Sequence, residues 1–163
     1  MNKSNEEFNS IITDICENKE FNKLKDKTHH GISRYDHSMR VAYYTYLTTK
    51  FLKLNYKEAT RGALLHDFFI DEVKDLSSIN RFRKHPEYAV KNAKKYFEIT
   101  KLEENIIKTH MFPITFTPPK YIESWLVDII DDISSIYEKC FSIKEQIATA
   151  VSMYLIILFN YIR

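Results

Sequence analysis

His66 and Asp67 stand side by side at the end of the stretch Ala59-Thr60-Arg61-Gly62-Ala63-Leu64-Leu65-His66-Asp67. One backbone segment there offers an imidazole nitrogen and two carboxylate oxygens, which are donors for a divalent cation, and the carboxylate is able to bridge two of them. A His-Asp pair is commonplace on protein surfaces, so its setting decides its weight. His37, His85, His110 and the acidic cluster Asp128, Asp131, Asp132 each sit on a separate helical segment or helix edge. Singly, each histidine has a structural explanation: His37 as a satisfied core residue, His85 as a helix N-cap, His110 as a helix C-terminal residue favoured by the dipole. The acidic cluster is harder to dismiss. Its helix is apolar around most of its circumference, so at least one aspartate faces inward, and an unpaired carboxylate in a core costs several kcal/mol or stays protonated. A metal ion supplies the missing partner. The three aspartates span less than one and a quarter turns, so spacing does not choose among them, and Ser134 and Ser135 on the following turn leave room for ions.

The elements that must position these groups are helices. Only 2 glycines and 4 prolines occur in 163 residues, which leaves few sites for tight hairpins, and apolar residues recur mostly at helical spacing. The chain is expected to be all-α and one domain, long enough for a core without disulfides. With 24 basic against 22 acidic residues, a net charge of +2 gives no global pull toward nucleic acid or membrane, so any attraction for anions is local. Cys16 and Cys140 have no CxxC spacing and the N-terminus lacks the apolar run of a signal peptide, from which a reducing cytoplasm is expected. No repeat or linker interrupts the chain.

In chain order, Phe8, Ile11, Ile12, Ile15 and Cys16 predict a helix over 4–24 that covers the core with one face. Ser33 is placed to cap a central helix running to residue 51, with His37, Val41, Tyr44, Thr48 and Phe51 on one stripe. Asn55 to Glu58 resembles a capping box that opens the helix ending at His66-Asp67. Residues 68–84, of mixed charge, read as a loop with one short helical turn, and His85-Pro86 reads as a helix start because proline suits the first helical position. Ala89, Val90, Ala93, Tyr96 and Phe97 continue that helix. Thr100 to Glu103 is a second capping box, before Leu102, Ile106 and His110 at spacings of four, and Pro113 ends that helix. Pro118 and Pro119 keep the chain extended up to a helix over 121–140 with an apolar stripe of Trp125, Ile129, Ile133, Ile136 and Cys140. A third capping box, Ser142 to Glu145, opens a last helix. Its apolar run, 151–161, is too short and too broken by Ser152 and Asn160 for a bilayer span of about 20 residues.

The ordered set His37, His66-Asp67, His85, His110, Asp131 resembles the ligand series of the HD-domain metal-dependent phosphohydrolase superfamily, over roughly residues 28–140. Arg34 to Ala42 resembles its first-His helix, Ala63 to Asp67 its signature, and Asp131 to Ser135 its last-Asp segment. The resemblance implies a single HD-type bundle of about six to seven helices. It divides the chain into a covering helix over 1–27, a metal-binding core over 28–140 and a packing or interface helix over 141–163. It also selects Asp131 among the three acids, and His85 and His110 match the branch with two metals bridged by Asp67. Phe68-Phe69-Ile70 departs from the Ile-Gly-Lys of cyclic-dinucleotide phosphodiesterases, and Asp132 stands where many members have lysine, so a cyclic dinucleotide substrate is unsupported.

Four imidazoles and two carboxylates suit Fe, Mn, Co, Ni or Zn better than Mg, and family habit favours two ions of Fe or Mn. Such a pair activates water and clamps a phosphoryl group, which is hydrolysis of a phosphate ester or anhydride. The expected substrate is a small phosphorylated molecule, a nucleotide or a dinucleoside polyphosphate. Asp67, Arg34 and Lys74 are expected to act at the reacting group, and Arg34, Lys74, Arg81, Arg83 and Lys84 to hold phosphate by charge-assisted hydrogen bonds. A solvated basic loop explains each of the last four equally well, and His29 and His30 read as ordinary loop histidines. Two other functions fit the same ligands: a diiron oxygenase and a non-catalytic sensor or scaffold. No stable binding to nucleic acid or membrane is expected, and a homodimer is compatible with the last helix.

Overall fold

The structure, a computed structural model, describes residues 3–29, 32–70 and 76–162. Helix α1, Lys3–Cys16, lays Phe8, Ile12 and Ile15 into the core, with Ile11 and Cys16 at its edge. The single helix expected over 4–24 is instead broken. The Asn18 side chain accepts from the backbone N–H groups of Glu20 and Phe21 and so caps a short second helix, α2, Lys19–Asn22, which runs into a 3-10 turn at Lys23–Asp26. An asparagine oxygen competing for backbone donors overrides the apolar period there. A two-residue antiparallel ribbon, β1 (Thr28–His29) with β2 (Ile32–Ser33), follows. It is a minor addition to an all-α bundle.

Ser33 caps the central helix α3, Arg34–Phe51, by accepting from the Asp36 backbone N–H at 3.0 Å. Its buried face is Ser38, Val41, Ala42, Thr45, Tyr46 and Thr49, while Tyr44 and Phe51 of the expected stripe are exposed. Small hydroxylated residues bury at little cost when they bond their own helix, as Thr49 does by donating to the Thr45 carbonyl at 2.6 Å, and a pattern counting only apolar residues misses them.

Helix α4, Tyr56–Leu65, starts at Asn55, but the expected capping box is incomplete. The Glu58 carboxylate takes the Asn55 side-chain amide, and the Asn55 backbone N–H donates to Glu123. Gly62 of α4 packs against α6, Lys101–Thr109. A Cβ there would sit 3.0 Å from Ile106 Cδ1 and 3.2 Å from the Glu103 Cα, so the glycine sets the approach that brings the ends of the two helices together. The capping box of α6 is complete, with Thr100 and Glu103 exchanging both bonds.

Helix α5, Ser78–Tyr96, corrects the expected loop and helix start: Pro86 lies inside the helix, which begins eight residues earlier. Residues 81–84 are exposed, so the carbonyls that proline deprives of a donor or displaces are able to reach water, and the missing bond is tolerated. Helix α7, Ile122–Ile162, is one helix of 41 residues, where two were expected. Ser142 does not cap a new start; its hydroxyl accepts from the Gln146 side chain at 3.4 Å. With no glycine or proline between 122 and 162, nothing stops the helix. Its apolar stripe faces outward, with Trp125, Ile129, Ile133, Ile136 and Cys140 exposed, and the expected inward aspartates are there: Ser124, Val127, Asp128, Asp131, Ser134 and Glu138 are buried.

The core cluster runs from Phe8 to Val127, with α3 packed on α4 and α7, and α6 on α4, α5 and α7. No helix among the described residues is long and apolar enough to cross a membrane.

Candidate metal centre

Four helices deliver the histidines. His66 follows the last turn of α4, and His110 the last turn of α6, and both are buried. His85 lies in mid-α5, and His37 in the first turn of α3. Three of the rings face a backbone carbonyl through Nδ1: His66 toward Ala63 at 2.6 Å, His85 toward Arg81 at 3.1 Å, and His110 toward Ile107 at 2.8 Å. A carbonyl only accepts, so Nδ1 carries the proton in each ring and Nε2 presents a lone pair to the interior. His66 Nε2 is buried without a hydrogen-bond partner. His85 Nε2 and His110 Nε2 lie 2.8 Å apart, so two lone pairs converge where only a cation or proton relieves their repulsion.

Asp67 stands between these rings with its two oxygens turned to different ones. Its Oδ1 is 3.2 Å from His85 Nε2 and 3.8 Å from His110 Nε2, and its Oδ2 is 3.9 Å from His66 Nε2. Burial alone would raise the Asp67 carboxyl, but His66, His85 and His110 hold it well below the usual carboxylate range. Burial, with the neighbouring His66 and His85 rings, pushes His110 down to about 3, which keeps it a neutral donor.

His37 is held differently. Its Nδ1 lies 3.0 Å from Glu138 Oε2, and its Nε2 2.8 Å from Asp131 Oδ1. Burial opposes its charge, but the bonds to Asp131 and Glu138 prevail and raise it to about 10. Arg40, one turn along α3, donates to Glu138. Of the three acids in the cluster, Asp131 points at the histidines, with its Oδ1 also 3.6 Å from His66 Nε2. Burial pushes the Asp131 carboxyl up, and His66 with the bond from His37 more than offsets it, so that it lies below its usual range. Asp128 is pushed up to about 7 by burial and by Asp132 and Asp131, and its Oδ1 has no partner. Asp132 lines the adjoining cavity.

The donor atoms form three overlapping groups, each within 4.8 Å: His37, His66, Asp67; His66, His110, Asp131; and Asp67, His85, His110. All six residues read from the sequence as ligands are thus brought to one place. They fit a metal centre by the chemistry of the set, nitrogen and carboxylate donors aimed inward with an orphaned imidazole among them.

A cavity of about 440 Å³ opens beside them, lined by Arg34, Phe69, Arg81, Phe82, Met111, Asp132, Ser135, Ile136 and Lys139 as well as by the cluster. Arg34 stacks on Phe69 at 3.7 Å, donates to the Phe69 carbonyl and holds its Nε 4.0 Å from Asp67 Oδ2. Arg81 lines the cavity. Arg83 instead lies over the Phe116 ring at 5.5 Å, and neither it nor Lys84 is among the described residues lining the cavity. Lys74 lies outside the described residues. Sequence reasoning missed Glu138, Arg40, Phe69 and Lys139. Glu138 had a readable signal: it follows Asp131 by seven residues, two turns on the same helix face.

The family model described as "HD domain" matches residues 34–136. No curated protein and no solved structure matches the chain.

Proposed function

Because the chain belongs to the HD domain family, whose members are typically metal-dependent hydrolases, we propose that it hydrolyses a phosphate ester or anhydride at a centre of two divalent ions. The observation that carries this reading is the posture of Asp67, whose two oxygens face two different sets of imidazoles. His37, His66, Asp67 and Asp131 would hold one ion, and Asp67, His85 and His110 the other. The donor set suits Fe or Mn. When bound, such a pair supplies Lewis acidity toward phosphoryl oxygens and lowers the pKa of water.

The chain's own groups do the rest. Arg34, Arg81 and Lys139 line the cavity and offer donors for phosphate oxygens. Arg34 is the best placed to act at the reacting group, since it is fixed by Phe69 beside Asp67; Lys74, from its place in the sequence, is a second candidate. Phe69, Phe82 and Met111 give the cavity apolar walls suited to a nucleobase, and its volume lies within the ~300–1,000 Å³ of small-molecule sites. A nucleotide or dinucleoside polyphosphate is therefore the first substrate class to test, because symmetrical dinucleoside tetraphosphate hydrolases share the six-ligand order.

The test is phosphate release from nucleotides, dinucleoside polyphosphates and sugar phosphates by anaerobically purified protein loaded with Fe(II) or Mn(II), with oxygen uptake followed in parallel. Metal-dependent phosphate release without oxygen consumption is expected. Stoichiometric oxygen uptake with iron would replace the hydrolase reading by an oxygenase, and metal binding with neither reaction would leave a sensor.

A further inference from the structure

Helix α7 inverts the usual arrangement of a surface helix. Its polar residues Ser124, Asp128, Asp131, Ser134 and Glu138 are buried against the domain, and its apolar ones face out. Ile122, Trp125, Ile129, Ile133, Ile136 and Ile143 are between 40% and 64% exposed and recur at spacings of three and four, or seven with Cys140 between, along one face. Beyond Glu138 no described side chain of α7 is buried. A helix of 41 residues is about 60 Å long, roughly twice the ~30 Å width of a small domain, so it outruns the body it packs on.

We propose that this face pairs with the same face of a second copy of the chain, the two α7 helices antiparallel about a two-fold axis. Three observations favour a second copy over another occupant. The exposed large apolar side chains of this row leave on the order of 600 Å², at the upper end of the ~300–600 Å² of a typical monomer's largest patch and approaching the ~800 Å² per partner of a stable interface. A single row of isoleucines matches itself, as a two-fold interface requires. Asp132 and Lys139, exposed on one flank of the row and two turns apart, have opposite charge, so an axis passing between them sets each acid near the other copy's lysine. A bilayer would bury those charges without partners. Ile136 belongs both to the row and to the cavity wall, so a second copy would border the open side of the cavity.

The test is sedimentation of the full chain from about 1 to 100 µM, which spans µM-range association, beside the double variant Ile129→Glu, Ile133→Glu; neither of these residues lines the cavity. The wild type is expected at twice the chain mass and the variant at the chain mass with unchanged helix content. Trp125, the single tryptophan, reports on the wild type directly, because dilution that separates the copies should shift its emission to the red. If the variant fails to fold, that dilution series decides. A wild type at the chain mass throughout, a folded variant that stays paired, or flotation of the wild type with phosphatidylcholine and phosphatidylglycerol vesicles would overturn the proposal.

Discussion

The two halves of the histidine cluster are oriented by different chemistry. On the side of α4, α5 and α6, His66, His85 and His110 are turned by bonds to backbone carbonyls. A carbonyl in a helix neither titrates nor mutates away, so these three rings keep their tautomer as long as the helices stand. On the side of α3 and α7, His37 is turned by the carboxylates of Glu138 and Asp131, and Glu138 is in turn engaged by Arg40. That half is set by side-chain charge, and charge responds to pH and to single substitutions. One half is fixed and the other adjustable, with Asp67 between them.

The largest effect is expected where the halves meet. Asp67→Ala removes a donor from both proposed ions and the negative charge that offsets their repulsion. Turnover should fall by roughly a thousandfold or more, beyond the ~10–100-fold that residues behind the ligands command. Phosphate-release kinetics with circular dichroism as the folding control measure it. His85→Ala and His110→Ala touch only the fixed half. Each should cost one ion and leave residual turnover, so equal loss in all three variants would erase the distinction between a bridging and a terminal ligand. In the adjustable half, Asp131→Ala should release metal while Asp132→Ala keeps it, as elemental analysis would show.

Glu138→Gln comes next. The amide oxygen still accepts from His37 Nδ1, but the charge facing His37 and Arg40 is gone, so metal affinity should drop by about tenfold, within the range for outer partners. Titration with Mn(II) checks it, and an unchanged affinity would mean that His37 orients itself.

The smallest effect concerns Asp128, an acid of the adjustable half that turns away from the histidines. Burial, with Asp132 and Asp131, lifts its carboxyl to about 7 in the folded chain, above its ordinary 3.8. Between those values the folded state holds a proton that the unfolded state has released, so this group's contribution to stability falls as pH rises through the window and levels off above about 7. Asp128→Asn should therefore raise the melting temperature of metal-free protein by a few degrees at pH 8 and by little at pH 4, with metal content unchanged.

The all-α class was legible in the sequence, and so were the donor types that stand together in the structure, while the bounds of the elements were less so. Imidazoles and carboxylates announce their chemistry by type, and the order from His37 to Asp131 survives any error in helix boundaries. The elements were harder to read because the deciding interactions are local competitions or distant contacts. Asn18 took backbone donors and split the first helix, and Pro86 sat inside α5 because the turn before it faces water. Apolar spacing identifies a helix face but not what that face meets, and in α7 the buried face is the polar one carrying Asp131 and Glu138. Arg83 and Lys84 stand outside the cavity lining on the same ground, since charge in a segment says nothing of its direction.

Counting the ions tests the central claim most directly. Anaerobically purified wild type, saturated with Mn(II), desalted and analysed for metal per chain, is expected to hold two equivalents, and Asp67→Ala at most one, weakly. A wild type that saturates at a single ion, or an Asp67→Ala variant that keeps two, would contradict the bridged centre on which the proposed function rests.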